Sequence, residues 1–168
     1  MTASDITAEF AVKRFVDCGR ARVGYHKAGR GPALVLLHGF PLSGATWRKM
    51  IPALAERFTC YAPDLVGFGA STSPVARDFS SEGQGEVFQR ALSALGVTSY
   101  ALLGNDTGGW IARELALVDG GKITHMVLSN TEIPGHRPPW IPFYQLLSTL
   151  PGAALGFRPV LASLAARA

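Results

Sequence analysis

The stretch Ser99-Tyr-Ala-Leu-Leu-Gly-Asn-Asp-Thr-Gly-Gly-Trp-Ile-Ala-Arg-Glu-Leu115 decides how the rest of this chain is read. It opens on a short apolar run, Tyr100 to Leu103, long enough for a buried strand and too short for a helix. Three glycines, Gly104, Gly108 and Gly109, then crowd a turn. After them Trp110, Ile111, Leu115 and Val118 recur at helical spacing, with Arg113 and Glu114 on other faces, so Trp110 is expected to point into the core. Strand, sharp turn and helix around Gly104-Asn-Asp-Thr-Gly108 is the layout of a nucleophile elbow. The glycines two before and two after Asp106 let backbones pass closely without Cβ clashes. Asp106 is therefore predicted at the tip, its carboxylate exposed above the sheet.

Two roles fit an aspartate there. As a turn residue, Asp106 would cap the helix that follows. As a nucleophile it needs no base to ionise it, since an unperturbed Asp has a pKa of about 3.9. Attack on an ester would give an anhydride, a poor outcome. Attack on an sp3 carbon bearing a halide or a strained oxygen gives an ordinary ester instead.

Composition narrows the class. At 168 residues with 48% hydrophobic content, the chain can bury a real core and is not a disordered segment. The net charge of +4 is spread without a run of Lys and Arg, which excludes a nucleic-acid-binding patch. Cys18 and Cys60 have neither metal-ligand nor disulfide-framework spacing and read as reduced thiols, which points to the cytoplasm. Residues 1–10 carry acids and lack an apolar core, unlike a signal peptide. No apolar stretch approaches the roughly 20 residues that span a bilayer, so no membrane role is expected.

Outward from the elbow, residues 10–16 and 21–26 read as strands joined by a hairpin turn at residues 17–20. Ala33–Leu37 is a continuous apolar run suited to a central parallel strand, and it ends in His38-Gly-Phe-Pro41. Residues 46–58 carry Trp47, Met50, Ile51, Leu54 and Phe58 on one helical face, with Pro52 a point where the helix can restart. A brief strand at 59–62 leads into Asp64-Leu-Val-Gly-Phe-Gly-Ala-Ser71, a glycine-bearing loop of the kind found at the carboxyl edge of an α/β sheet. Residues 80–95 form a helix capped by Ser80, with Val87, Phe88, Ala91, Leu92 and Leu95 inward, and 124–128 supply another buried strand. Strands alternating with helices imply a mostly parallel sheet with right-handed crossovers. Beyond Asn130, Pro134, Pro138, Pro139, Pro142 and Pro151 punctuate a stretch rich in Trp, Phe and Leu, and residues 160–168 read as a short helix.

Three motifs now stand in order: His38-Gly-Phe-Pro41, Asp64 to Ser71, and the Gly104-to-Gly109 elbow. Together they resemble the α/β-hydrolase superfamily, in its Asp-nucleophile branch of haloalkane dehalogenases, fluoroacetate dehalogenases and epoxide hydrolases. The resemblance implies an α/β-hydrolase fold, a mostly parallel sheet flanked by helices, with residues 1–133 the N-terminal part of the core and 134–168 the start of the lid. It implies that the chain stops within the lid, before the last core strands. It makes Asp106 the nucleophile, and the backbone N–H groups of Phe40 and Thr107 the oxyanion hole. His38 and Asp64 become loop-supporting residues, and Cys60, Met50 and Trp47 packing residues. Glu132, after the sixth strand, matches where some dehalogenases carry their catalytic acid. Trp140, Phe143 and Tyr144 would roof an apolar substrate pocket.

The departures are informative. Haloalkane dehalogenases place Trp after the nucleophile to hold the halide, and fluoroacetate enzymes place Arg; this chain has Thr107. Only His125 and His136 follow Asp106, and neither matches the late histidine that activates water in the branch. The expected function is an α/β-fold hydrolase, haloalkane dehalogenase-like, in which an alkyl ester forms on Asp106 and this chain alone is incomplete for turnover. The alternatives are an epoxide hydrolase or a non-catalytic, ligand-binding relic of the fold. A small apolar organic substrate and water are the expected partners. No metal cluster or dinucleotide fingerprint appears in the sequence, so neither a metal nor another cofactor is expected.

Overall fold

The computed structural model describes residues 2–131 together with Pro142 and Leu146. The chain divides into two units, Met1–Thr131 and Glu132–Ala168, and the first is described below. Its elements are α1 (Ala3–Ala11), β1 (Lys13–Cys18), β2 (Ala21–Ala28), β3 (Ala33–Leu37), a 3-10 turn (Gly44–Lys49), α2 (Ile51–Leu54), β4 (Thr59–Pro63), a second 3-10 turn (Ala76–Phe79), α3 (Ser81–Ala94), β5 (Tyr100–Asn105), α4 (Thr107–Asp119), a third 3-10 turn (Gly120–Lys122) and β6 (Ile123–Ser129).

The six strands form one sheet in the order β1-β2-β4-β3-β5-β6. The β4-β3-β5-β6 portion is parallel, while β2 joins β1 and β4 antiparallel. β3 lies between two parallel neighbours and is apolar at every position because both of its faces are covered. Leu34 and Leu36 face the layer of Ile6, Phe10, Trp47 and Ile51. Val35 and Leu37 face the opposite layer, with Val87, Phe88, Ile111 and Leu115 from α3 and α4. That period of two is the pleat sorting one strand into two cores. α3 follows the sequence expectation closely, with the Ser80 side chain capping its first turn and Val87, Phe88, Ala91 and Leu92 buried. Leu37 pairs with Gly104 and Asn105 with Ser129, so the parallel strands end along one edge. The loops after β3, β4 and β5 all leave from that edge.

Four expectations are corrected. Residues 3–11 form a helix rather than leading into a strand at Phe10. Thr2 and Asp5 close a capping box, and Ile6 and Phe10, one helical turn apart, bury on the same face. The first strand then starts at Lys13.

Residues 46–58 are not one amphipathic helix. Pro52 lacks an N–H and sits in the first turn of the four-residue α2, so the chain before it closes as a 3-10 turn instead. Trp47 and Ile51 are buried, whereas Met50 is exposed. On α4 the inward residues are Ile111, Ala112 and Leu115. Trp110, expected in the core, is 44% exposed, and Val118 is 41% exposed. At about 100° per residue Trp110 falls beside the stripe that Ile111 and Leu115 set. β6 keeps its place next to β5, but Met126, Val127 and Leu128 on it are exposed.

Cys18 and Cys60 are free and buried, and burial pushes the Cys60 thiol up to about 11. Among the described residues no helix is long and apolar enough to cross a membrane. No group of His, Cys, Asp and Glu among them could hold a metal ion.

Candidate active site

β5 ends at Asn105 and α4 begins at Thr107, so a single residue, Asp106, carries the reversal. Its backbone has φ 56° and ψ −126°, a conformation that a non-glycine residue adopts only under constraint. The constraint comes from both sides. Asp106 N–H donates to Ser129 O at 3.0 Å, extending the β5–β6 ladder by one bond, and Asp106 O accepts from Gly109 N at 2.9 Å. A Cβ on Gly108 would lie 2.3 Å from Leu37 O, so only glycine lets the start of α4 sit against the end of β3.

The same pressure acts on the loop after β3. A Cβ on Gly39 would lie 2.6 Å from the Cβ of Asp106. The glycine therefore lets Phe40 approach, and Phe40 N–H donates to Asp106 Oδ1 at 3.0 Å. Thr107 adds two further donors to that same oxygen, its N–H at 2.5 Å and its hydroxyl at 2.8 Å. Oδ1 thus takes all three bonds, and Oδ2 takes none among the described residues. The carboxylate is exposed.

His38 stands behind this loop with no exposed surface. Leu65 N–H donates to Nε2 at 2.9 Å, which leaves Nδ1 to carry the proton and donate to Gly39 O at 2.9 Å. Burial holds its pKa below the usual imidazole value. Neutral and with both nitrogens engaged, His38 is a brace between the β3 and β4 loops.

Asp64 is a second brace. Its Oδ1 accepts from Gly44 N–H at 2.8 Å, and its Oδ2 from Ala70 N–H at 2.8 Å and from Lys13 Nζ at 2.7 Å. Its side chain is fully buried and that of Lys13 is 27% exposed. The pair ties the β4 loop to β1 across the sheet.

The structure brings Asp106, Phe40 and Thr107 together. It places His125 in register with Ala101, some four to five strand residues and about 15 Å from the elbow end of the sheet. Glu132, His136, Trp140, Phe143 and Tyr144, and the expected short helix at 160–168, lie outside the described residues. Two participants were not singled out from sequence. Phe68 packs edge-on against both Phe40 and His38, with ring centroids 5.6 and 6.2 Å away. It stands inside the Asp64-to-Ser71 motif, so its position carried a signal. Lys13 carried none, because 51 residues separate it from Asp64.

Known proteins are similar to this chain. Over 118 residues the chain is 35% identical to haloalkane dehalogenase 2 of Mycobacterium tuberculosis, covering 70% of this chain and 41% of that protein. Over 114 residues it is 44% identical to the soluble epoxide hydrolase of a Corynebacterium species, covering 68% and 39%. The crystal structure of Cfl2 from Burkholderia cenocepacia superposes with a TM-score of 0.73 at 28% identity, covering 82% of this chain and 51% of that one. The chain therefore spans about two fifths of the length of these curated relatives. The family model described as alpha/beta hydrolase fold matches residues 32–158. With a match over that much of its length, the chain belongs to the alpha/beta hydrolase fold family.

Proposed function

We propose that the protein is a hydrolase of alkyl electrophiles, haloalkane dehalogenase-like, with Asp106 as its nucleophile. The observation that carries this reading is the split use of the Asp106 carboxylate: Oδ1 is held by three donors, and Oδ2 takes no bond among the described residues. Oδ2 attacks an sp3 carbon, a C–O bond forms, the carbon–halogen bond breaks, and the halide leaves with the electron pair. Oδ1 becomes the carbonyl oxygen of the ester, already between the N–H groups of Phe40 and Thr107. Water then adds to Cγ, the negative charge develops on Oδ1 under those donors, and a general base takes the water proton. Collapse expels the alcohol and restores the carboxylate.

His38 does not serve as that base, since both its nitrogens are committed. The general base is a histidine supplied from beyond the described residues, with Glu132 its acid partner. On this reading residues 134–168 begin the lid, and Trp140, Phe143 and Tyr144 are assigned to binding a small apolar substrate. The free thiols Cys18 and Cys60 support a cytoplasmic setting.

A second reading, hydrolysis of an epoxide by the same ester route, is favoured by two features. Thr107 stands where a halide-holding Trp or Arg would be, and of the two curated proteins above the epoxide hydrolase has the higher identity, 44% against 35%.

The test is covalent capture. Incubation with a reactive bromoalkane adds one alkyl mass to the peptide holding Asp106, and Asp106→Asn adds none. An epoxide probe leaves a hydroxyalkyl mass at the same place if the second reading holds. A folded sample that gains no mass from either probe overturns both and leaves a non-catalytic relic. Equal labelling of Asp106→Asn overturns the nucleophile assignment.

A further inference from the structure

The structure assigns the Thr107 hydroxyl as a third, side-chain donor of the oxyanion hole, a catalytic group specific to hydrolysis of the ester on Asp106. This rests on Asp106 being the nucleophile. Three donors converge on a single oxygen, Asp106 Oδ1: Phe40 N–H at 3.0 Å, Thr107 N–H at 2.5 Å and Thr107 Oγ1 at 2.8 Å. An ionised carboxylate can only accept, so the Thr107 hydroxyl must be the donor.

The number of donors matters. A trigonal carboxylate or ester oxygen offers about two lone-pair directions. The oxyanion of a tetrahedral intermediate offers three, and carries a full charge. Three donors are therefore one too many for the ground state and matched to the intermediate. Interactions that strengthen only on the way to the transition state are those that accelerate a step. The alkylation step runs the other way, since Oδ1 loses negative charge as Oδ2 forms its new bond. The hydroxyl should then do little for alkylation and much for deacylation. Thr107 is the first residue of α4, and its Oγ1 has no other partner among the described residues, so its hydroxyl is not required by the helix cap.

Hydroxylamine separates the two steps without relying on the protein's own base. It adds through nitrogen to Cγ of the alkylated Asp106, and Oδ1 takes the charge. Nitrogen loses a proton to solvent, the Cγ–Oδ2 bond breaks, and the alcohol leaves with a solvent proton, so a hydroxamate remains on Asp106. Protein alkylated with the bromoalkane is treated with hydroxylamine, and loss of the alkyl mass is timed by intact-protein mass spectrometry. In Thr107→Val, which keeps the β-branched shape, native adduct loss slows by about ten- to a hundredfold while adduct formation changes by less than about threefold. Thr107→Ser, with its hydroxyl, regains most of the lost rate. In guanidinium all three adducts react alike, because the hole is gone. Native Thr107→Val that loses its adduct as fast as wild type overturns the assignment. So does equal slowing of both steps, which would make the hydroxyl an anchor of the resting carboxylate. Wild type that forms no adduct removes the reading of Asp106, and this one with it.

Discussion

Replacing Asp64 by Ala strips the acceptor from three donors at once: Gly44 N–H, Ala70 N–H and the Lys13 ammonium. Removing one partner of a buried ion pair costs about 3–5 kcal/mol. The low end applies here, since Lys13 is 27% exposed and its ammonium can turn to water. Each backbone N–H left unpaired in the interior adds about 1 kcal/mol at the least. The loss therefore comes to about 5 kcal/mol, a large part of the stability of a domain this size. Asp64→Asn keeps one acceptor oxygen but turns an NH₂ toward another donor, and loses about 3 kcal/mol. Lys13→Met leaves the carboxylate buried with two backbone donors and loses about 2 kcal/mol. Urea unfolding followed by circular dichroism reads all three. With a slope of about 2 kcal/mol per molar, Asp64→Ala moves the midpoint by more than about 2 M. The double variant Lys13→Met/Asp64→Asn should lose clearly less than the sum of the singles, because the two side chains touch. An Asp64→Ala midpoint within about 0.5 M of wild type would show that the loops hold without this hub.

Gly39→Ala drives a Cβ to 2.6 Å from that of Asp106, so the β3 loop is pushed off the elbow. Labelling of Asp106 by the bromoalkane should fall at least tenfold, and unchanged labelling would contradict the close approach. His26 and His38 are both buried, and burial is the main cause holding each pKa below 6.5. The unfolded chain binds protons on them that the folded chain refuses, so stability is full above about pH 6.5 and falls as pH drops below it. Thermal midpoints that stay level from pH 7.5 to 5.5 would refute this. Finally, β6 exposes Met126, Val127 and Leu128, with Val127 at 56%. Exposed apolar strands promote association, so Val127→Lys should reduce aggregation in light scattering at little cost in thermal midpoint. Equal aggregation would place the sticky surface elsewhere.

The sequence by itself determined the elements whose signals are local. Ala33–Leu37 is apolar throughout because a central parallel strand is covered on both faces, and its bounds in the structure are those of the run. Ser80 before an amphipathic stretch marked the start of α3, and the glycines around Asp106 marked a turn too tight for side chains. Where a signal had competitors it misled. Residues 3–11 read poorly as a helix because only Ile6 and Phe10 on it are buried. Trp110 read as core because its size outweighed its position on α4. The tertiary structure alone decided how the site is held. Lys13 and Asp64 are 51 residues apart, and Phe40 and Asp106 are 66 apart. No periodicity in the chain links such positions; the parallel register of β3 and β5 does, by ending both strands at one edge. Two of the bonds on Asp106 Oδ1 come from Thr107 within the elbow itself, but the third, from Phe40 N–H, follows only from that convergence of two loops.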